Sequence, residues 1–437
     1  PDTLGEYQFA GLLRGARTRY PVYLDPAVFR TSWTMINSQF PDQQYWSYDR
    51  HGCPKPYTGV DCAKVGYADE GSPVTYRSLF EFASGSYVGR HVLDAKLSMD
   101  LLYSWTCSDS VTYVYQVGAG LNSGTTWRNN IGAWGSAVAS VRNSSCNRAR
   151  RRSEWGVTGT VQTAATQYWG STTFGLRGET ESNHNAWKKF DAGTAYLSVT
   201  YNSYPNAPEA MGVEGADCVT GSGRPYVRTT TPRLTARVSD PDGYDRALTG
   251  TFSWAPMSGS TGASGSVSQA ALASGTTASI AVPAGGPLTD GASYTLRAQV
   301  SDGVDNGQGS TCEFTVDATP PPTPGTVSST TYPADGALHG GAGVLGTFTL
   351  AAPASRAAEI TGYAYTLDNG VQPAAAAQVD ADATTHAATV QLTPPTDGPK
   401  TLRVWSRDVA GNYSTAAVSY PCGVRAGAGP DAMWRFD

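Results

Sequence analysis

Apolar and polar residues alternate in short runs along most of this chain. In SVTYVYQV (110–117), every second residue falls on one face, as in a β-strand. The residues on that face are Val111, Tyr113, Tyr115 and Val117. The stretch RSLFEFASGSYVGRHVLDAKLSM (77–99) predicts two neighbouring strands around a turn-rich break. We therefore expect more than a third of the residues in strands and under a tenth in helices.

One segment departs from the two-residue period. GVTGTVQTAATQYW (156–169) carries its apolar residues at helical spacing. These residues are Val157, Val161, Ala164, Ala165 and Tyr168. The pattern predicts a single short helix, over 157–169, in an otherwise all-β domain.

Two segments without periodicity divide the chain. NSYPNAPEAMG (202–212) contains two prolines, and ATPPPTPG (318–325) predicts a stiff, extended linker. Both regions after these breaks carry short strands separated by turn clusters, the spacing of β-sandwiches. In the last of them, LDNG (367–370) predicts a hairpin turn. We interpret the chain as tandem β-sandwiches over 1–202, 203–317 and 318–421, with a linker and the start of a further strand in 422–437.

The amino-acid composition limits the classes of partner that we expect. The 437 residues include 31 Lys and Arg against 36 Asp and Glu, a net charge of −5. Such a mild negative balance gives no reason to expect nucleic acid or an anionic membrane surface as a partner. No apolar run approaches the ~20 residues of a membrane-spanning helix. We therefore expect no membrane span.

Seven cysteines point to an oxidising compartment. None of them forms a CxxC pair, so a zinc site is not indicated. Their spacing suggests local pairs within domains: Cys53 with Cys62, Cys107 with Cys146, and Cys218 with Cys312. Disulfides would place the protein outside the cell or on its surface. Six cysteines allow 15 pairings, and buried free thiols are the alternative.

Cys422 is left over. It follows the last predicted sandwich strand, and the terminal AMWRFD (432–437) alternates like the start of another strand. We predict that the natural chain continues past Asp437 and that Cys422 pairs with a cysteine there or in a neighbouring chain. A buried free thiol is the alternative.

Motifs for catalysis are not found in the sequence. It contains no HExxH, GxSxG or GxxxxGK[ST] pattern. Glu179 and Glu181 could share a strand face, as a glycosidase acid pair would require, but glutamates at a strand exit are more often solvated. We interpret the protein as a non-enzyme that needs no cofactor.

Three features are candidates for ligand binding. Asp240 and Asp242 in SDPDG offer oxygen ligands for Ca²⁺, although this sequence is also a favourable turn. Trp residues of the first domain could stack on sugar rings, although most Trp side chains in sandwiches lie in the core. The Trp candidates are Trp105, Trp127 and Trp134. The basic run NRARRR (147–152) could dock an anionic polymer or form an exposed loop.

Longer stretches resemble a known family. YRSLFEFASGSYVGRHVLDAKLSM, SWTCS, SGTTWRN and TFGLRGETESNHNAWKKFDAGTAYLSVTYNS are similar to the DNRLRE domain of secreted and wall-associated proteins of GC-rich Gram-positive bacteria. CVTGSGRPYVRTTTPRLTARVSDPDG and TLRVWSRDVAGNYS resemble bacterial Ig-like domains, and AMWRFD resembles the opening strand of a laminin-G-like domain. The resemblance implies a jelly-roll-like DNRLRE module followed by two Ig-like or fibronectin-like domains.

These observations leave three functions open. The first is a non-catalytic, secreted or cell-surface stalk or adhesion scaffold. The second is a carbohydrate-binding protein, whose partner would be a glycan or cell-wall polymer, attached to a wall- or polysaccharide-directed protein. The third is the N-terminal portion of a large polymorphic toxin. Further copies or downstream domains of the same polypeptide are the other partners that we expect.

Overall fold

The computed structural model describes residues 27–47, 53, 55–69, 71–242, 247–285, 288–368 and 370–427. The terminal AMWRFD (432–437), predicted to begin another strand, lies outside them. Strands make up 48% and helices 8%, which confirms the all-β prediction. The described chain forms two compact units, 27–204 with 240–242, and 205–239 with the residues from 247 onwards.

The first unit contains nine strands. They are β1 (Ala27–Asn37), β2 (Cys62–Asp69), β3 (Pro73–Ala83), β4 (His91–Ser104), β5 (Ser110–Val117), β6 (Trp134–Asn143), β7 (Arg151–Gly156), β8 (Ser171–Gly178) and β9 (Lys188–Asn202). The α-helices are α1 (Trp127–Asn130) and α2 (Thr158–Thr166), and the 3₁₀ turns are Ile131–Ala133, Cys146–Arg148 and His184–Ala186. Helix α2 confirms the helix predicted over 157–169.

The strands of the first unit form two layers joined by strands that change sheet. The order is β6-β5-β8-β3-β1-β9-β4-β7, and β2 pairs with both β3 and β9. Residues 27–29 of β1 pair with β9, whereas residues 32–37 pair with β3 after a register shift. Strand β2 makes the same switch at Gly66, whose φ is +100°. A Cβ there would lie 2.7 Å from the Ala186 carbonyl oxygen, so this corner requires glycine.

The two strands predicted over 77–99 are not neighbours. Strand β3 pairs with β1, β2 and β8, whereas β4 pairs with β7 and β9. The expectation of adjacent strands was therefore wrong, because the connection between them crosses from one layer to the other. Side chains from both layers meet in a dry core. Its largest fully buried members include Trp33, Phe80, Phe82, Trp155, Phe174 and Phe190.

The second unit begins with a nine-stranded sandwich. Its strands are β10 (Glu209–Val213), β11 (Ala216–Asp217), β12 (Tyr226–Val227), β13 (Arg233–Arg237), β14 (Leu248–Pro256), β15 (Gly265–Leu272), β16 (Thr277–Ala281), β17 (Ser293–Ser301) and β18 (Ser310–Val316), with a 3₁₀ turn at Gly221–Gly223. One sheet has the order β11-β10-β13-β16, and the other has the order β12-β18-β17-β14-β15. Strand β10 thus begins inside the segment predicted to be a linker.

The third sandwich completes the second unit. Its strands are β19 (Val327–Ser328), β20 (Leu338–His339), β21 (Gly346–Leu350), β22 (Gly362–Leu367), β23 (Ala377–Asp380), β24 (Ala388–Leu392), β25 (Gly398–Arg407) and β26 (Val418–Val424), with 3₁₀ turns at Ala357–Glu359 and Pro373–Ala375. The sheets have the orders β19-β21-β24 and β20-β26-β25-β22-β23. Strands β22 and β23 pair antiparallel, as a hairpin requires, through a connection that contains the 3₁₀ turn. The predicted turn at LDNG includes Asn369, which lies outside the described residues.

The second and third sandwiches repeat one topology. The path β10-β13-β16 corresponds to β19-β21-β24, and β12-β18-β17-β14-β15 corresponds to β20-β26-β25-β22-β23. Each sandwich buries its own apolar core. In each, an Asp after a long strand closes a turn by accepting backbone N–H groups, Asp302 after β17 and Asp408 after β25. The prediction of two copies of one architecture is therefore confirmed.

Candidate ligand-binding surface

Two of the predicted sugar-stacking tryptophans enclose an arginine. Arg77 on β3 is only 6% exposed. Its guanidinium carbon lies 4.8 Å from the ring centre of Trp127 and 5.1 Å from that of Trp134. Both indoles are partly buried against a small cluster on the outer face of the sheet. Their faces are thus occupied by a cation, which makes Trp127 and Trp134 structural rather than available platforms.

Glu181 completes this cluster and loses the role of a catalytic acid. Arg77 donates two hydrogen bonds to its carboxylate, at 2.9 and 2.8 Å, and Arg177 donates another at 2.9 Å. Burial opposes ionisation, but the hydrogen bonds and charge of the arginines hold the pKa of Glu181 below its usual value. Glu179 accepts from the Val111 N–H and from Arg142, and these contacts lower its pKa as well. Neither glutamate is a poised proton donor.

Trp105 presents an exposed aromatic surface on the first unit. Its side chain is 49% exposed. The indole stacks on His184, with ring centres 4.7 Å apart, and Tyr67 meets the other side of that imidazole edge-on at 5.5 Å. Trp105 is held by a backbone hydrogen bond from its N–H to the Trp187 carbonyl. Of the three predicted tryptophans, Trp105 alone keeps the geometry of a platform.

A shallow groove lies beside β5 and β8. Its volume is about 400 Å³. It is lined by Gln116, Gly118, Gly120, Trp169, Ser171 and Thr173. Below Ser171, Glu81 accepts hydrogen bonds from the Ser171 hydroxyl at 2.6 Å and from Ser32 at 2.9 Å. A second groove of about 330 Å³ shares Gln116 and continues toward helix α2. An indole beside amide and hydroxyl groups can accept both the apolar face and the hydroxyl edge of a sugar.

This groove was not predicted from the sequence. Trp169 follows helix α2, and Gln116 stands near the end of β5, some 50 residues earlier. The glycine-rich VGAG (117–120) after β5 was the available signal, because small residues leave space beside a sheet. Nothing in the spacing of the chain shows that these two segments meet.

Lys188 is the other unexpected residue. It is fully buried at the start of β9. Its ammonium donates to the Ser110 carbonyl at 2.6 Å, to Thr112 Oγ1 at 3.1 Å and to Asn143 Oδ1 at 3.1 Å. Burial lowers the pKa of Lys188 to about 8. Three acceptors match the three N–H donors of an ammonium, so the lysine joins β9 to β5 and β6.

The three predicted disulfides are present. Cys53 bonds Cys62, Cys107 bonds Cys146 and Cys218 bonds Cys312. Cys422 is free, as expected for the seventh cysteine. It is only 6% exposed and belongs to the core of the third sandwich, and burial raises the pKa of its thiol. The structure shows the thiol buried, as in the alternative, and the predicted bond to a cysteine past Asp437 or in a neighbouring chain stays a prediction.

The calcium candidates form a turn. Asp240 accepts a hydrogen bond from the Asp242 N–H at 2.7 Å, and Asp242 accepts one from the Ser203 N–H at 2.6 Å. Among the residues that the structure describes, no three His, Cys, Asp or Glu side chains are grouped as metal ligands. One oxygen of each carboxylate accepts a backbone N–H group, as the turn interpretation expects, and the calcium site stays a prediction.

The basic run is largely paired. Arg150 lies 2.9 Å from both Asp100 and Asp191, and Arg152 lies 2.9 Å from Asp100. Strand β7 begins at Arg151, so the run is not wholly the exposed loop that we considered. The charges of Arg150 and Arg152 are balanced by these aspartates, which weakens the idea of an anionic-polymer dock.

No helix in the described part of the chain is long and apolar enough to cross a membrane. The sequence matches no protein-family model, and no curated protein matches it. The resemblance to DNRLRE and laminin-G-like domains therefore stays a prediction.

Solved structures that match include tandem fibronectin domains. The chicken CNTN1 FN1–FN3 domains match with 14% identity and a TM-score of 0.34, covering 57% of this chain and 87% of that one. The two fibronectin type III domain segment of chicken tenascin matches with 15% identity and a TM-score of 0.18, covering 50% of this chain and all of that one. Scores this low do not establish a common fold, so the β-sandwich assignment rests on the strand orders given above.

Proposed function

We propose that this chain is a non-catalytic, secreted or surface-attached scaffold that spaces or presents other groups. The observation that carries the proposal is the repetition of one strand order in two consecutive sandwiches, each with its own core. A repeated domain that has its own hydrophobic core can act as a spacer, which holds the groups at its two ends apart without any active site. Three disulfides support an oxidising location. A toxin stalk would be one form of the same scaffold.

The test has a thermal and a catalytic part. Calorimetry of the whole oxidised chain should resolve more than one unfolding transition, because the units have separate cores. Incubation with polysaccharides, esters and peptides should give no turnover. Turnover that copurifies with the protein and is lost on substitution of one carboxylate would overturn the scaffold proposal.

A second candidate function is glycan binding by the first unit. The groove with Trp169, Gln116 and Ser171 favours it, and the exposed Trp105 offers a separate platform. We expect Trp169→Ala to abolish binding on a glycan array if the groove holds the sugar, and Trp105→Ala to do so if the platform does. Phe29→Ala removes another exposed aromatic and serves as the control. The absence of binding by the unaltered chain would reject this candidate.

A further inference from the structure

Strand β12, the third strand of the second sandwich, and its last strand, β18, run side by side in the same direction. Strand β12 pairs in parallel with the end of β18, with Tyr226 opposite Thr315 and Val227 opposite Val316. Further back along both segments, the Ser310 hydroxyl donates to the Pro208 carbonyl at 2.6 Å. The chain therefore enters beside the start of β18 and leaves beyond its end, at opposite ends of the sandwich.

The third sandwich has the same arrangement. Strand β20 pairs in parallel with β26, with Leu338 opposite Gly423 and His339 opposite Val424. The Arg425 N–H donates to the His339 carbonyl and continues this pairing beyond the strand ends. Force applied along the chain would slide these segments past each other and load their hydrogen bonds together rather than one at a time.

The two sandwiches differ in one covalent bond. Cys218, ahead of β12, is bonded to Cys312 within β18, and the loop between them spans 94 residues. Force applied to the chain before Cys218 and after Cys312 is carried by the disulfide bond. The residues between the two cysteines are therefore not stretched. In the third sandwich the cysteine of the last strand, Cys422, has no disulfide partner.

We propose that the second sandwich is a fixed-length link under tension and that the third sandwich is an extensible one. This inference rests on the scaffold function proposed above and adds a mechanical role to it. With the disulfide intact, only about 18 residues of the second sandwich can straighten, at most ~60 Å at ~3.5 Å per residue. The third sandwich, of roughly 100 residues, would release about 300 Å.

Cys422 marks the extension of the third sandwich. It lies on β26, one of the two strands that tension would separate, and it is 6% exposed in the folded state. A thiol reagent present during stretching should therefore label Cys422 only after the third sandwich opens. Labelling distinguishes that event from unfolding of the first unit, whose described cysteines are all in disulfides.

The experiment stretches the whole oxidised chain between handles at its ends and counts the extension steps. We expect no long step from the second sandwich. Substitution Cys218→Ser with Cys312→Ser should add one step of about 300 Å. The matched control, Cys107→Ser with Cys146→Ser, removes a disulfide of similar type from the first unit and should lengthen only that unit's own step.

A second measurement covers the case in which the double variant fails to fold. Reductant added while the unaltered chain is held under tension should produce a lengthening of about 300 Å from the second sandwich, in addition to the shorter release from the first unit, whose disulfides join cysteines 9 and 39 residues apart. An oxidised chain that already shows the extra step, or reduction that adds none, would overturn the mechanical inference and leave the scaffold proposal intact. Catalytic turnover would have the opposite effect, since it would reject the scaffold without changing any length.

Discussion

Raising the pH from 7.5 to 9.5 should stabilise the first unit through Lys188. The pKa of this lysine is about 8 in the folded chain, against 10.5 for an ordinary lysine, because burial penalises the ammonium. Between these two values the unfolded chain keeps the proton that the folded chain has released. Stability therefore rises with pH in that window, by about 1.4 kcal/mol per pH unit. Up to pH 9.5 the expected gain is about 2 kcal/mol.

Three charged groups act on the pKa of Lys188 in addition to its burial. They are Asp109, Glu179 and Arg142. The assay is urea unfolding followed by tryptophan fluorescence, since Trp155 is fully buried and donates to the Thr112 carbonyl beside the lysine. The difference between the unaltered chain and Lys188→Met isolates the lysine. The Met variant loses three hydrogen bonds, which lowers its stability, but it also avoids the cost of burying a charge, which raises it. The criterion is therefore the slope of the free energy of unfolding against pH and not the absolute stability. Equal slopes in the two proteins would refute the reasoning.

Three further predictions follow from packing. Arg77→Met should lower the free energy of unfolding by about 3 kcal/mol, because it leaves Glu181 without its buried partner; urea unfolding unchanged within error would contradict this. Gly66→Ala should lower the free energy of unfolding by about 2 kcal/mol more than Gly59→Ala, since both glycines have positive φ but only Gly66 has a carbonyl where a Cβ would lie. An equal decrease in melting temperature for the two variants would show that the corner at Gly66 tolerates a side chain. Cys422 should react with a thiol reagent only on unfolding, and immediate labelling of native protein would place it at the surface.

Periodicity found the strands but could not tell which face is inward. In β5 the two-residue period correctly grouped Tyr113 and Tyr115, yet it is Val114, on the other face, that enters the main core. Tyr115 packs instead beneath Arg177, with ring and cation 5.1 Å apart. Both faces of this sheet are covered, one by the opposite layer and one by the segment around α1. Alternation of residues along the strand therefore did not separate a buried face from an exposed one there.

The positions of the cysteines predicted their partners, whereas the positions of the charged residues did not predict theirs. Two of the disulfides join cysteines 9 and 39 residues apart, and short loops bring their ends together readily. The third joins Cys218 and Cys312, 94 residues apart, and follows instead from their positions near the two ends of one predicted domain. The buried ion pair of Arg77 joins residues 104 positions apart, and Lys188 reaches Asn143 across 45. No local pattern reports such partners, since they meet only when strands distant in sequence pair within one sheet or when the two layers close on each other. The groove at Gln116 and Trp169 escaped prediction for the same reason.

The antiparallel pairing of β1 with β9 has a consequence for where the first unit could be transplanted. Ala27 lies opposite Ser198, so the first and last of the nine described strands are adjacent, about 5 Å apart at these positions. A surface loop of an unrelated protein could accept the segment from β1 to β9 between two nearby positions without either partner being stretched, as tolerated domain insertions require. The same closeness would let its ends be joined and new ones opened elsewhere, a circular permutation that leaves both layers and their core unchanged.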